Sequence, residues 1–273
     1  MATNFRFLMD EKYKHNQTII KVLGEGSNKK IKVITMNTLR TKGIEDDYDK
    51  IRISEFNTYD SKMRESISRA KNKIFELAFC NSWEYFFTAT LDSTKYDRTD
   101  LEKFHKDLTQ FFRDYKKKYN AKIDFLLIPE LHQDGKSWHM HGFLKGITIE
   151  HLKQFKIGDT MGKALAEKVK NGDTVYNWEA YAKKFGFCDL EPIRNHEAVS
   201  KYITKYINKS LETSVKELNA HLYYHSRGLK SAETMKKGTM HIDIVPDFVG
   251  DYCSISWFDF SDTLLQQILD SIE

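Results

Sequence analysis

Trp138-His139-Met140-His141-Gly142-Phe143-Leu144 is the stretch on which the reading of this chain turns. Taken as a strand, its side chains alternate between two faces, so His139 and His141 point the same way, about 7 Å apart along the backbone. Neutral imidazole is the commonest protein ligand for a divalent metal, so the pair offers half of a metal site. Two histidines on a polar sheet face would be written the same way, and the pair alone does not separate the two readings.

Working upstream, Ile123-Asp124-Phe125-Leu126-Leu127-Ile128-Pro129-Glu130 has the composition of a second strand, and Gln133-Asp134-Gly135-Lys136 lies between the two. Asp-Gly between apolar runs is a strong hairpin signal. A two-residue turn at Asp134-Gly135 sets Glu130 opposite His139 and Ile128 opposite His141, which brings Glu130 onto the histidine face. A slip of one residue would turn it away.

Trp83 to Asp92, aromatic and β-branched, is a further strand. Thr99 and Glu102 fit a capping box, and Leu101, Phe104, Leu108, Phe111, Tyr115 and Tyr119 then mark a helix over 101–119 that ends in Lys116-Lys117-Lys118, favourably placed for the helix dipole. Met63, Ile67, Ala70, Ile74, Leu77 and Ala78 give an earlier helix. Residues 148–184 read as helix, a break at Asn171-Gly172-Asp173, and a short helix around Trp178–Tyr181. Phe185 to Glu191 reads as a fourth strand, and Asn195 as the N-cap of a helix over 196–209. Shorter apolar runs at Ile31–Ile34, Leu222–Tyr224 and Ile242–Val245 suit strands, Gly24–Asn28 a turn, and 261–272 a terminal helix. This order predicts an α+β fold: a central antiparallel sheet of about five strands with helices packed on it, related to the split β-α-β pattern. Residues 1–57 form an N-terminal extension of unknown role, 58–245 the main domain, and 246–273 a tail with a short helix.

The bulk numbers set limits. With 43 basic and 39 acidic residues, any nucleic-acid surface must come from local clustering of charge. Three isolated cysteines, Cys80, Cys188 and Cys253, without CxxC spacing argue against a disulfide framework or zinc knuckle and for a reducing compartment. No apolar run suits a membrane span and no signal-peptide pattern follows Met1, so a cytoplasmic location is expected.

A second constellation lies at Lys201-Tyr202-Ile203-Thr204-Lys205-Tyr206-Ile207-Asn208-Lys209, where Tyr-Ile-x-Lys occurs twice. On a helix Tyr202 and Tyr206 stand one above the other, about 6 Å apart, each with a lysine three residues on. Tyrosines at helical spacing are most often core-edge residues. Here Val199, Ile203 and Ile207 already supply an apolar stripe, and the repeat of both tyrosine and lysine remains to be explained. A phenol of pKa near 10 is only about one part in a thousand ionised at pH 7, so a nucleophilic tyrosine needs an ammonium or a polarised substrate beside it.

In this order, His139-Met140-His141 followed by Tyr202-x-x-Lys205-Tyr206 resembles the HUH endonucleases. The likeness is greatest to two-tyrosine rolling-circle replication initiators of small phages, of the microvirus gene A and filamentous-phage gene II type. Phe87-Thr88-Ala89-Thr90-Leu91 is similar to the family's first motif, Ile128-Pro129-Glu130 through Leu144 to its second, and Tyr202 to Lys209 to its third. Ser226-Arg227-Gly228-Leu229-Lys230 is similar to a downstream segment of such initiators. The likeness covers about residues 83–230.

The resemblance implies a ferredoxin- or RRM-like HUH fold and a divalent cation, Mg2+ or Mn2+, on His139, His141 and an acidic third ligand. Glu130 matches that position, with His132 the alternative. It implies a nickase and strand transferase acting on single-stranded DNA at a replication origin. Tyr202 or Tyr206 would form a 5′-phosphotyrosine and leave a 3′-OH for a host polymerase, with Lys205 assisting and Lys209 and Arg227 contacting DNA. No P-loop GxxxxGK[ST] is present, so a helicase partner is expected. An HUH transposase or relaxase, a non-catalytic DNA-binding protein and an unrelated metal hydrolase remain open at this point.

Overall fold

Alternating apolar runs become strands and apolar stripes at helical spacing become helices through most of the chain. The computed structural model describes residues 13–14, 17–36, 40–41, 55–195, 199, 202, 221–250 and 253–273. In chain order the elements are β1 (Tyr13–Lys14), β2 (Gln17–Leu23), β3 (Lys30–Met36), β4 (Arg40–Thr41), α1 (Glu55–Phe79), β5 (Tyr85–Thr90), α2 (Leu101–Tyr119), β6 (Asp124–Leu131) and β7 (Trp138–Lys145). They continue with β8 (Leu152–Gln154), α3 (Lys163–Lys170), β9 (Tyr176–Trp178), α4 (Glu179–Lys184), β10 (Cys188–Pro192) and β11 (Tyr224–His225). The last are β12 (Glu233–Thr239), β13 (Phe248–Val249), β14 (Cys253–Asp259) and α5 (Asp262–Asp270). The chain divides into two units, Phe56–Lys230 and a second made of Met1–Glu55 with Ser231–Glu273.

In the larger unit, seven strands among the described residues form one sheet in the order β11-β6-β7-β5-β10-β9-β8. Every neighbouring pair is antiparallel. This is the expected α+β class, with the short strands β9 and β8 widening the sheet beyond five. The two faces of the sheet bury different sets. On one, Phe87, Ala89, Leu127, Met140, Leu144 and Leu190 join Phe104, Leu108 and Phe112 of α2, Tyr181 of α4 and Phe185 in an aromatic core. On the other, Phe86, Leu126, Ile128 and Phe143 cluster with Ala70, Ile74, Leu77 and Ala78 of α1, with Val199, and with Tyr202 at the margin. Gly142 is where β6 and β7 come too close for a side chain: a Cβ there would overlap the Leu126 carbonyl oxygen.

The β6–β7 hairpin has the register read from Asp134-Gly135, with Glu130 opposite His139 and Ile128 opposite His141. Asp134 secures the turn by accepting from the backbone N–H groups of Lys136 and Ser137 at 2.9 and 2.8 Å.

Local departures have local causes. The N-cap of α2 is Asp100, which accepts from the Lys103 amide at 2.8 Å, because the expected cap Thr99 is already engaged with Asp97, its hydroxyl donating to Asp97 Oδ1 at 2.7 Å. Residues 152–154, expected to be helical, pair as a strand with β9, which carries Trp178 into the aromatic core. Ile242–Val245, expected as a strand, has no ladder partner, and pairing resumes at β13. The helix expected over 196–209 is described only at Val199 and Tyr202, so Lys205, Tyr206 and Lys209 lie outside the described residues.

The smaller unit draws on both ends of the chain, which from sequence read as an extension and a separate tail. Its main sheet, in the order β12-β2-β3-β14-β13, pairs strands more than two hundred residues apart. Ile20, Val22, Ile31 and Val33 pack with Leu265, Ile268 and Ile272 at the C-terminal helix α5. Among the described residues, no helix is long and apolar enough to cross a membrane.

Candidate metal centre and tyrosine site

The candidate site is written across four neighbouring strands. Register places Glu130 of β6 opposite His139 of β7 and His139 opposite Thr90 of β5; one step along, His141 faces Thr88, which in turn faces Asp189 of β10. Because strand side chains alternate, all of these share one face. The same alternation sends Met140 into the aromatic core on the other side, where it is fully buried. The bulky residue between the histidines therefore holds the strand down while its two neighbours project from the opposite face.

Three donor atoms converge. Glu130 Oε2 lies 3.4 Å from His139 Nε2 and 3.3 Å from His141 Nε2, and the two Nε2 atoms are 3.2 Å apart. Among the described residues this is the one group of three such side chains close enough to hold a metal ion. Separations of this size suit donors that share one cation about 2.1 Å from each, and two imidazoles with a carboxylate are a donor set that divalent first-row metals and Mg2+ accept. His132 stands beside the group, its ring centroid 4.5 Å from that of His139.

Electrostatics keep the donors in a ligating state. Hydrogen bonds from His139 and then His141 hold the Glu130 carboxyl well below the usual carboxylate range. Burial, more than any neighbouring charge, pushes the His141 imidazole towards its neutral form. His132 is pushed down too, by burial and then by the charges of His139 and Arg98. Arg98 has its Nε buried without a hydrogen-bond partner, and its backbone carbonyl accepts from the Trp138 amide at 2.8 Å, at the entrance to the histidine strand.

Tyr202 reaches the same face. Its ring stacks on Phe86 with centroids 4.5 Å apart, and Phe86 in turn lies parallel to the His141 ring at 6.1 Å. The Tyr202 hydroxyl donates to Glu191 Oε2 at 3.3 Å, while the other oxygen of that carboxylate binds Lys168 Nζ at 2.7 Å. Burial, followed by the charge of Glu191, pushes the Tyr202 phenol up to about 12. The reading in which a lysine one turn away eases ionisation falls on Lys205, outside the described residues. Among the described residues the acidic side chains Glu191, Asp173 and Asp189 act in the opposite direction.

Arg227 is not brought to this cluster. It is exposed in the turn after β11, next to Ser226, whose amide donates to Phe125 at 2.9 Å. That anchor is at the far end of β6 from Glu130, about 17 Å along the strand.

Sequence reasoning passed over Thr88, Asp189, Glu191, Lys168 and Arg98. Asp189 and Glu191 had a usable signal: they alternate with Cys188 and Leu190 in a run read as a strand, and so share one face. Asp189 is deeply buried, and burial followed by the Glu191 charge pushes its carboxyl up to about 6. Lys168 comes from α3, well removed in sequence, and nothing in its local pattern marks it.

Comparison with curated proteins and with solved structures gave no match. Residues 84–211 match the family model of replication-associated proteins of the ORF2 and gene II protein type, so the segment that carries β5 to β10, the Glu-His-His group and Tyr202 is similar to replication-associated proteins.

Proposed function

We propose that this protein is a replication initiator that nicks and rejoins single-stranded DNA at an origin by transesterification through a tyrosine. The observation that carries the reading is the convergence of Glu130, His139 and His141 on the face that also receives Tyr202, within a segment similar to replication-associated proteins.

Glu130, His139 and His141 would hold the cation. When bound there, Mg2+ or Mn2+ supplies Lewis-acid polarisation of a phosphodiester. The protein's own part is positioning. Phe86 fixes the plane of the Tyr202 ring, and the β5–β7–β10 platform sets its distance from the histidine pair. Attack by Tyr202 or Tyr206 on the phosphorus gives a 5′-phosphotyrosine and releases a 3′-OH that a host polymerase extends. The second tyrosine can then cleave the regenerated origin. Lys205 would face the phosphate or phenolate, and Lys209 and the distant Arg227 would track the DNA backbone. In this role the protein works in a host cytoplasm, with a helicase partner to open the duplex.

The test incubates the full chain with a labelled pool of random-sequence single-stranded DNA and Mg2+ or Mn2+, then resolves it under denaturing conditions. The expected result is a covalent protein–DNA species that disappears in a Tyr202→Phe/Tyr206→Phe double variant. Binding without an adduct would favour a non-catalytic DNA-binding module, and cleavage without an adduct would favour a metal hydrolase.

A further inference from the structure

The Tyr202 hydroxyl points at a carboxylate, and the nucleophile proposed above must lose a proton when it attacks. We propose that Glu191 is the catalytic base that accepts this proton, an inference that rests on the tyrosine reading of the site. Register supports the arrangement: Glu191 of β10 lies opposite Phe86 of β5. One strand pair therefore supplies both the ring on which Tyr202 stacks at 4.5 Å and the acceptor that receives its hydroxyl at 3.3 Å. The two oxygens of Glu191 have separate tasks. Oε1 is held by Lys168 at 2.7 Å, which fixes the carboxylate in its ionised form, and Oε2 is left to the phenol.

The charged and titratable groups around the pair come from each packed element. They are Lys168 on α3, Asp173 in the loop that follows it, Asp189 two residues away on β10, and Tyr202 itself. In the step, a bond forms between Tyr202 Oη and phosphorus while the phenolic proton passes to Glu191 Oε2. The bond from phosphorus to O3′ breaks with its electron pair leaving on O3′, which takes up a proton from solvent to become the 3′-hydroxyl. In the rejoining direction the 3′-hydroxyl attacks and Glu191 returns the proton to the departing phenolate. One carboxylate thus serves nicking as base and rejoining as acid.

The decisive variant is Glu191→Gln, which keeps a hydrogen-bond acceptor for the phenol but removes the base. Adduct formation is measured in a single turnover on the random single-stranded DNA pool with Mg2+, across a range of pH. Mass spectrometry identifies the modified tyrosine. The expected result is an adduct on Tyr202 that forms about 100-fold or more slowly in Glu191→Gln. The rise in rate with pH seen in the unmodified protein is also absent from the variant, which a merely structural contact would not produce.

A readout without DNA or metal accompanies it. In ring-labelled tyrosine NMR, with Tyr202 assigned through Tyr202→Phe, the phenol ionises at lower pH in Glu191→Gln because a negative charge beside it is gone. If Glu191→Gln does not fold, Lys168→Gln takes its place and moves the acid limb of the rate to higher pH; an unmoved limb overturns the proposal. An adduct on Tyr202 that forms equally fast in Glu191→Gln overturns the assignment of Glu191 alone. Absence of any adduct in the unmodified protein, or an adduct on Tyr206 only, removes the premise as well.

Discussion

The two faces of the central sheet are made from the same strands and differ in almost every other respect. Alternate residues of β5, β6, β7 and β10 enter an aromatic core on one side, with Phe87, Phe104, Trp178, Tyr181 and Phe185 fully buried. The intervening residues on the other side put Glu130, His139, His141, Thr88, Asp189 and Glu191 next to a smaller aliphatic cluster under α1. The first face contributes stability by burying apolar area, and the second accepts the cost of partly desolvated polar groups to keep them in fixed positions. A rigid platform lets a site hold side chains to within fractions of an ångström. The difference between the faces shows how a strand separates the two tasks with a period of two residues.

Substitutions can break or sharpen this contrast. Gly142→Ala should have the largest effect and spare neither face, because the new Cβ overlaps the Leu126 carbonyl oxygen and forces β6 from β7. A loss above about 4 kcal/mol in chemical denaturation is expected. A milder loss with intact Mn2+ binding would show that the hairpin yields more readily than the contact implies. Phe104→Ala tests the packed face alone. It should cost about 3–5 kcal/mol through the cavity it leaves, while folded protein still binds Mn2+ with unchanged affinity.

Asp189→Asn should act in the opposite sense. Burial raises the folded-state value of Asp189 from its ordinary 3.8 to about 6. The fold therefore prefers the protonated carboxyl: its contribution is fully present below roughly pH 4 and is lost as pH rises through about 6. Replacing it by a neutral amide should stabilise the protein by about 2 kcal/mol at pH 7 and hardly at all at pH 4. Equal gains at both pH values would show that the charge is not what the fold opposes.

The smallest change in stability is expected for His139→Ala, within about 1 kcal/mol in the absence of metal, since its side chain is a partner to Glu130 and not part of the core. Thermal melts carry the signal. Mn2+ should raise the melting temperature of the unmodified protein and leave that of His139→Ala unmoved. Unfolding of the variant, or an undiminished Mn2+ response, would remove the metal reading of this face.

Much of this site was legible from residues alone because it depends on local periodicities. His139-Met140-His141 needs only the alternation of a strand, and Asp134-Gly135 was enough to bring Glu130 to both histidines. Helix α2 followed from its apolar stripe, although its cap moved to Asp100 because Thr99 was already bonded to Asp97. Residues 152–154 and Ile242–Val245 were misread for a shared reason: short apolar runs carry no period, and whether they pair depends on a partner strand elsewhere in the chain.

The sequence by itself determined the hairpin, the α+β class and the identity of the Glu-His-His donors, because each rests on spacing within a few residues or on turn chemistry. Tertiary structure alone decided that Glu191 and Lys168 meet at the Tyr202 hydroxyl, and that the two ends of the chain share a sheet. Those contacts join residues far apart in sequence, whose meeting is set by which strands pair and which faces they bury, and no local pattern encodes such a pairing.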